Sequence, residues 1–169
     1  MKKSIVKFGF ILLLMLSLKA IYSASTLEQL RYFMYPMIPF IELFSQTAFY
    51  WIPEVGYSSS LNIIIEKSCA GGNFFIICFA FLSFKLWKFQ SFLQFSLRIF
   101  FLGICSYLIM ILANTARIVS AIKLAQLDAT TTFIDPKTAH LALGSILYVL
   151  ILLFINHLIT LKYVKVQIS

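Results

Sequence analysis

"MYPMIPFIELFSQTAFYW", residues 34–51, decides how the chain is threaded. Its apolar content is that of a membrane crossing, and a crossing here would invert every segment that follows. Pro36 and Pro39 interrupt its start, while Glu42 and Gln46, one turn apart, would put a carboxylate and an amide into hydrocarbon at high cost. An interfacial or partly inserted helix suits the stretch better, with Phe49, Tyr50 and Trp51 at headgroup level.

Outward from that stretch, composition places the whole chain in a bilayer. Of its 169 residues 61% are hydrophobic and 12% charged, about half the charge of a soluble domain. Apolar runs long enough to cross, at about 17–25 residues each, cover residues 5–22, 71–87, 97–118 and 140–161. The expected fold is an all-α integral membrane protein, a single domain over residues 1–169, with four transmembrane helices and the outer-face interfacial helix. After Pro53 and Gly56, residues 61–65 read as a short strand, paired in a hairpin with sequence before Gly56. The first run has a second reading, a cleaved signal peptide, because Lys2 and Lys3 precede it and Ser23, Ala24 and Ser25 follow. Lys19 sits badly beside a cleavage site but can snorkel from a retained helix.

Charge sets the direction. With the N-terminus in the cytoplasm, that side carries Lys2, Lys3, Lys7, Lys85, Lys88, Arg98, Lys162 and Lys165, eight cations. The other side carries Lys19, Arg31, Lys67, Arg117, Lys123 and Lys137, six cations, and all six acids: Glu28, Glu42, Glu54, Glu66, Asp128 and Asp135. The positive-inside rule counts Lys and Arg alone, eight against six, and so puts both termini in the cytoplasm; the acids, which leave the whole excess of +8 inside, point the same way. That placement also speaks for a bilayer partner and against nucleic acid.

Three reactive groups then reach one level, at the outer boundary of the membrane. Cys69 precedes the second span, Arg117 closes the third and His140 opens the fourth. Asn114 shares a helix face with Arg117, and Gly144, four residues after His140, clears space beneath the imidazole. A thiol attacks as the thiolate, which a nearby cation, a helix N-terminus or a histidine favours, and Gly71 and Gly72 permit a tight turn beside it. His140 suits a general base or acid, and Arg117 an oxyanion or carbonyl holder. Each residue also has a plainer reading: Cys69 as boundary packing, Arg117 as a headgroup anchor, His140 as an interfacial residue. Cys78 and Cys105, inside spans, read as packing, and His157 lies at the opposite end of the last span. No phosphate-binding glycine loop, paired-cysteine zinc spacing or histidine cluster calls for a cofactor or metal.

Glu66, Cys69, Gly71, Asn114, Arg117 and His140, in that order on a membrane scaffold, resemble the exosortase and archaeosortase family. "SCAGGNFF" at residues 68–75, with Asn73 after the second glycine, and "SASTLEQLRY" at residues 23–32 look most like the exosortase K branch. The resemblance implies a cysteine protease or transpeptidase that cleaves C-terminal sorting signals of membrane-anchored precursor proteins at the outer face of the cytoplasmic membrane. It implies Cys69 as nucleophile, Arg117 and His140 completing the triad, and supporting places for Glu66, Gly71, Asn73 and Asn114; Glu66 would orient Arg117 or meet the substrate. Ala70, Asn73 and Gly72 depart from commoner family residues and leave the sorting motif unassigned. Two other classes compete: a non-enzymatic membrane scaffold or permease subunit, and a thiol acyltransferase using the same cysteine.

Overall fold

The computed structural model describes residues 2–60, 63–86, 92–127 and 136–168, at backbone level only for residues 2–7, 92–93, 125–127, 136–141, 143 and 162–168. Six helices and a small sheet follow in the order α1 (Lys2–Ala24), α2 (Leu27–Met34), α3 (Ile38–Ser45), β1 (Phe49–Ile52), β2 (Gly56–Ser59), β3 (Ile64–Ile65), α4 (Gly72–Lys85), α5 (Phe92–Leu127) and α6 (Pro136–Ile168). The protein is mostly helical, and several of its helices are compatible with a membrane.

The decisive stretch is broken three times. Pro36 sits in a 3-10 turn over Tyr35–Met37 and Pro39 in the first turn of α3, where a missing N–H costs nothing. Helix α3 ends after eight residues at Gln46, which takes a left-handed φ of 54°. The Glu42 carboxylate then accepts the Phe49 N–H at 2.7 Å, tying the helix to the strand that follows. Phe49, Tyr50 and Trp51 are therefore strand residues rather than the end of an interfacial helix: Phe49 is buried, Tyr50 exposed, and Trp51 packs edge-on against Tyr57 with its ring 5.3 Å from Arg31.

The expected hairpin is a three-stranded antiparallel sheet in the order β1-β2-β3. Strand β3 pairs with β2, Tyr57 facing Ile65, so its partner begins at Gly56 instead of preceding it. The sequence before Gly56 forms β1, which pairs with the other edge of β2. Residues 61–62, the start of the expected strand, lie outside the described residues, as do Trp87, Lys88, Asp128 and Asp135.

By length and apolar content, three helical segments can cross a bilayer: Lys67–Lys85, Gln94–Leu124 and Gly144–Leu161. The number reaches four if Phe8–Ala24 and Leu27–Ser45, bent by 115° where they meet, make one broken span. Thr26 fixes that bend. Its hydroxyl accepts the Gln29 N–H while the Gln29 side chain accepts the Thr26 N–H, a reciprocal cap that starts α2 two residues after α1 stops.

Helix α4 is the centre, packed by α1 and α5, and α6 packs along α5 and touches α4 through Tyr148. Over its crossing segment α4 is 56% buried whereas α6 is 6% buried. Leucines and phenylalanines such as Leu112, Leu153 and Phe154 face outward, as lipid-facing side chains do. The main core joins Met34, Met37, Ile41, Ile65, Phe74 and Met110, directly beneath the loop that carries Cys69. Cys78 is fully buried in a second cluster with Phe79 and Leu102, and Cys105 packs at its margin.

Candidate functional site

The thiol is carried by a short irregular loop pinned from three directions. Residues Lys67–Cys69 make one 3-10 turn, closed by the Cys69 N–H to the Glu66 carbonyl at 2.9 Å. Gly71 follows with φ 77°, a conformation that reverses the chain and starts α4 at Gly72. A Cβ at Gly71 would lie 2.8 Å from the Met110 Sδ and 3.1 Å from the Asn114 amide, so α5 approaches this turn as closely as a glycine allows. Cys69 is half-buried and free.

From α5, Asn114 holds the loop. It is fully buried, and its amide nitrogen donates to the Cys69 carbonyl at 2.5 Å and to the Met37 Sδ at 3.2 Å. Its amide oxygen accepts the Tyr148 hydroxyl at 2.7 Å, which brings in α6. Tyr148 in turn stacks on Phe74 of α4, with centroids 4.1 Å apart and planes 11° from parallel. One amide thus joins four parts of the chain.

One turn further along α5, Arg117 is only 7% exposed. Its Nε and Nη2 make no hydrogen bond among the described residues, and its guanidinium lies 5.6 Å from the centre of the Tyr148 ring. Gly144 makes the room: a Cβ there would come within 2.6 Å of the arginine Cδ. Arg117 lies over the space at Gly144. The backbone of His140 is one turn N-terminal to Gly144 in α6, and its side chain lies outside the described residues. Asn114 bonds both the Cys69 carbonyl and the Tyr148 hydroxyl, the Tyr148 ring lies beside Arg117, and Tyr22 packs at Gly72, three residues after Cys69. These residues form one neighbourhood.

Helix α1 supplies the third support. The Tyr22 hydroxyl donates to the Lys67 carbonyl at 2.8 Å, and its ring lies against Gly72, where a Cβ would collide with it. The Lys67 ammonium donates back to the carbonyls of Ser23 at 2.9 Å and Ser25 at 2.6 Å, at the negative end of the α1 dipole. Lys19 donates to the Asn73 side chain at 2.6 Å.

Glu66 is exposed and accepts the Ser68 hydroxyl at 2.8 Å; it makes no ion pair with Arg117 among the described residues. The Ser68 Oγ lies 3.7 Å from the Cys69 Sγ. Among the described residues no three His, Cys, Asp or Glu side chains converge as a metal site would require.

Comparison with family models, curated proteins and solved structures yields no match. The exosortase resemblance rests on the residues themselves.

Sequence reasoning passes over Tyr22, Met37 and Tyr148. Tyr148 leaves a trace, since it stands four residues after Gly144 and so directly along the same helix face. Tyr22 and Met37 carry no signal that sets them apart in the sequence.

Proposed function

We propose that the chain is a membrane-embedded thiol peptidase or transpeptidase that cleaves C-terminal sorting signals from membrane-anchored precursors at the outer face of the cytoplasmic membrane. The observation that carries this reading is the buried guanidinium of Arg117, which has two donors unpaired among the described residues and is linked through Tyr148 and Asn114 to the loop of a half-buried thiol. A cation held without a counter-ion at membrane depth is costly, and such groups tend to be functional. A developing oxyanion would supply the missing partner.

In this mechanism His140 takes the Cys69 proton and the sulfur attacks the scissile carbonyl carbon. The carbonyl oxygen gathers negative charge against the free Nε–H and Nη2–H of Arg117. Collapse breaks the C–N bond, His140 returns the proton to the departing amine, and an acyl-thioester remains on Cys69. Water or an amine then attacks the thioester and releases the thiol. Asn114 holds the Cys69 carbonyl throughout, which fixes the backbone from which the sulfur projects.

The supporting residues divide accordingly. Gly71 shapes the turn, Asn73 ties α4 to Lys19 of α1, and Glu66, exposed beside the thiol, is placed to meet substrate. Two adjoining clefts of about 390 and 210 Å³ run between α1, α4 and α5, from Phe100 and Ile104 to Tyr22 and Gly72, and offer a precursor's apolar segment a route to the loop.

The test is to trap and sequence the adduct on Cys69. A peptide ending at a sorting-signal cleavage point is expected. A fatty acyl chain would instead identify an acyltransferase, and unchanged C-terminal processing of every surface protein in a Cys69→Ala strain would leave a non-enzymatic scaffold.

A further inference from the structure

We infer that Tyr148 is the positioning residue of this site, its hydroxyl setting the Asn114 amide that holds the Cys69 carbonyl and its ring seating the Arg117 guanidinium. The inference deepens the thiol-enzyme reading and rests on it for its functional meaning.

An asparagine amide can present oxygen or nitrogen in either direction, and buried Asn114 has acceptors at Cys69 and Met37 and a donor at Tyr148. The Tyr148 hydroxyl is the donor that holds the amide oxygen on the α6 side. With the oxygen held there, both amide hydrogens point towards Cys69 and Met37. Remove the hydroxyl, and the amide oxygen loses its donor, so that only the Cys69 carbonyl and the Met37 sulfur still hold the amide in this orientation.

The ring does separate work. It is clamped by parallel stacking on Phe74, which is 2% exposed, so its face is a fixed surface for a cation. Arg117 lies over that face with its stem in the notch left by Gly144. A guanidinium without a carboxylate partner among the described residues has few directional restraints, and the ring quadrupole supplies one.

The two parts separate in a thiol-labelling experiment on the full chain in detergent, with the Cys69 adduct quantified by mass spectrometry. The probes are iodoacetamide, which is neutral, and iodoacetate, which is anionic and senses Arg117. Tyr148→Phe keeps the ring and loses the hydroxyl. It is expected to change both rates together by roughly two- to tenfold, the range of one net hydrogen bond, with the iodoacetate-to-iodoacetamide ratio preserved. Adding Asn114→Ala to Tyr148→Phe is expected to change the rates no further than Asn114→Ala alone.

Tyr148→Leu removes the ring and is expected to lower the ratio to that of Arg117→Gln. A ratio unchanged in Tyr148→Leu, or effects of Tyr148→Phe and Asn114→Ala that add in full, overturns the inference. If the leucine variant does not fold, the phenylalanine and alanine cycle decides by itself. These ratios need no peptide substrate, so failure of the peptidase reading in a Cys69→Ala strain is a distinct result.

Discussion

Replacing Arg117 with methionine should make the protein more stable and inactive at once. The Nε and Nη2 donors are buried without partners among the described residues, and each such donor costs roughly 1–3 kcal/mol, about 2–6 kcal/mol for the two. Against this stands the contact with the Tyr148 ring, worth about 1–2 kcal/mol. Methionine retains much of the apolar stem that lies against Gly144, so the exchange leaves little cavity. The net gain is about 0–5 kcal/mol. Taking about 2.5 kcal/mol, a chain of this length would unfold some 5–10 °C higher, at roughly 2–4 °C per kcal/mol. The assay heats detergent-purified wild-type and variant protein and follows the folded fraction by size-exclusion chromatography, with precursor processing measured in parallel in cells. A methionine variant that melts lower than wild type would mean that the guanidinium is compensated in the resting protein, and one that still processes precursors would remove Arg117 from the mechanism.

Three further outcomes are expected. Gly144→Ala places a methyl group 2.6 Å from the Arg117 Cδ, so processing should fall at least about tenfold while stability changes by about 1 kcal/mol; comparing turnover with melting temperature checks this. Lys67→Met removes both bonds to the end of α1, and should cost about 1–3 kcal/mol and raise protease cleavage near residues 23–26, read by limited proteolysis of membranes. Burial raises the Tyr57 hydroxyl above its ordinary value of 10.0, with Arg31 opposing. The folded chain then holds that proton more tightly than the unfolded one, so stability falls as pH rises past 10, and Tyr57→Phe should remove this loss in alkaline unfolding curves.

The long helices were legible because apolar length in a low-charge sequence has few interpretations. Pro36, Pro39 and Glu42 also announced correctly that residues 34–51 are not one crossing. What they did not announce was β1, because Phe-Tyr-Trp after a short amphipathic helix has the same composition as a headgroup anchor. Only pairing with Gly56–Ser59, a non-local event, separates the two. Asn114 and Arg117 were visible as polar groups at helical spacing in an apolar run. Their partners were not, since a hydrogen bond from Tyr148 to Asn114 bridges 34 residues and periodicity carries no information across helices. Gly144 shows the limit well: its vacancy was evident from the sequence, but that Arg117 of α5 lies over it was not.

The bonds joining the end of α1 to Lys67 span more than forty residues. During synthesis the first helix is therefore complete long before the loop it supports exists. The loop can take its final shape only after the sheet and the start of α4 have arrived beside Tyr22. Until then the thiol has neither the aromatic wall on one side nor the Asn114 amide on the other, and a half-made chain in the membrane presents a cysteine without a site. On the thiol-enzyme reading proposed above, the surroundings of Cys69 are complete only once Asn114 of α5 and Tyr148 of α6 have joined the loop.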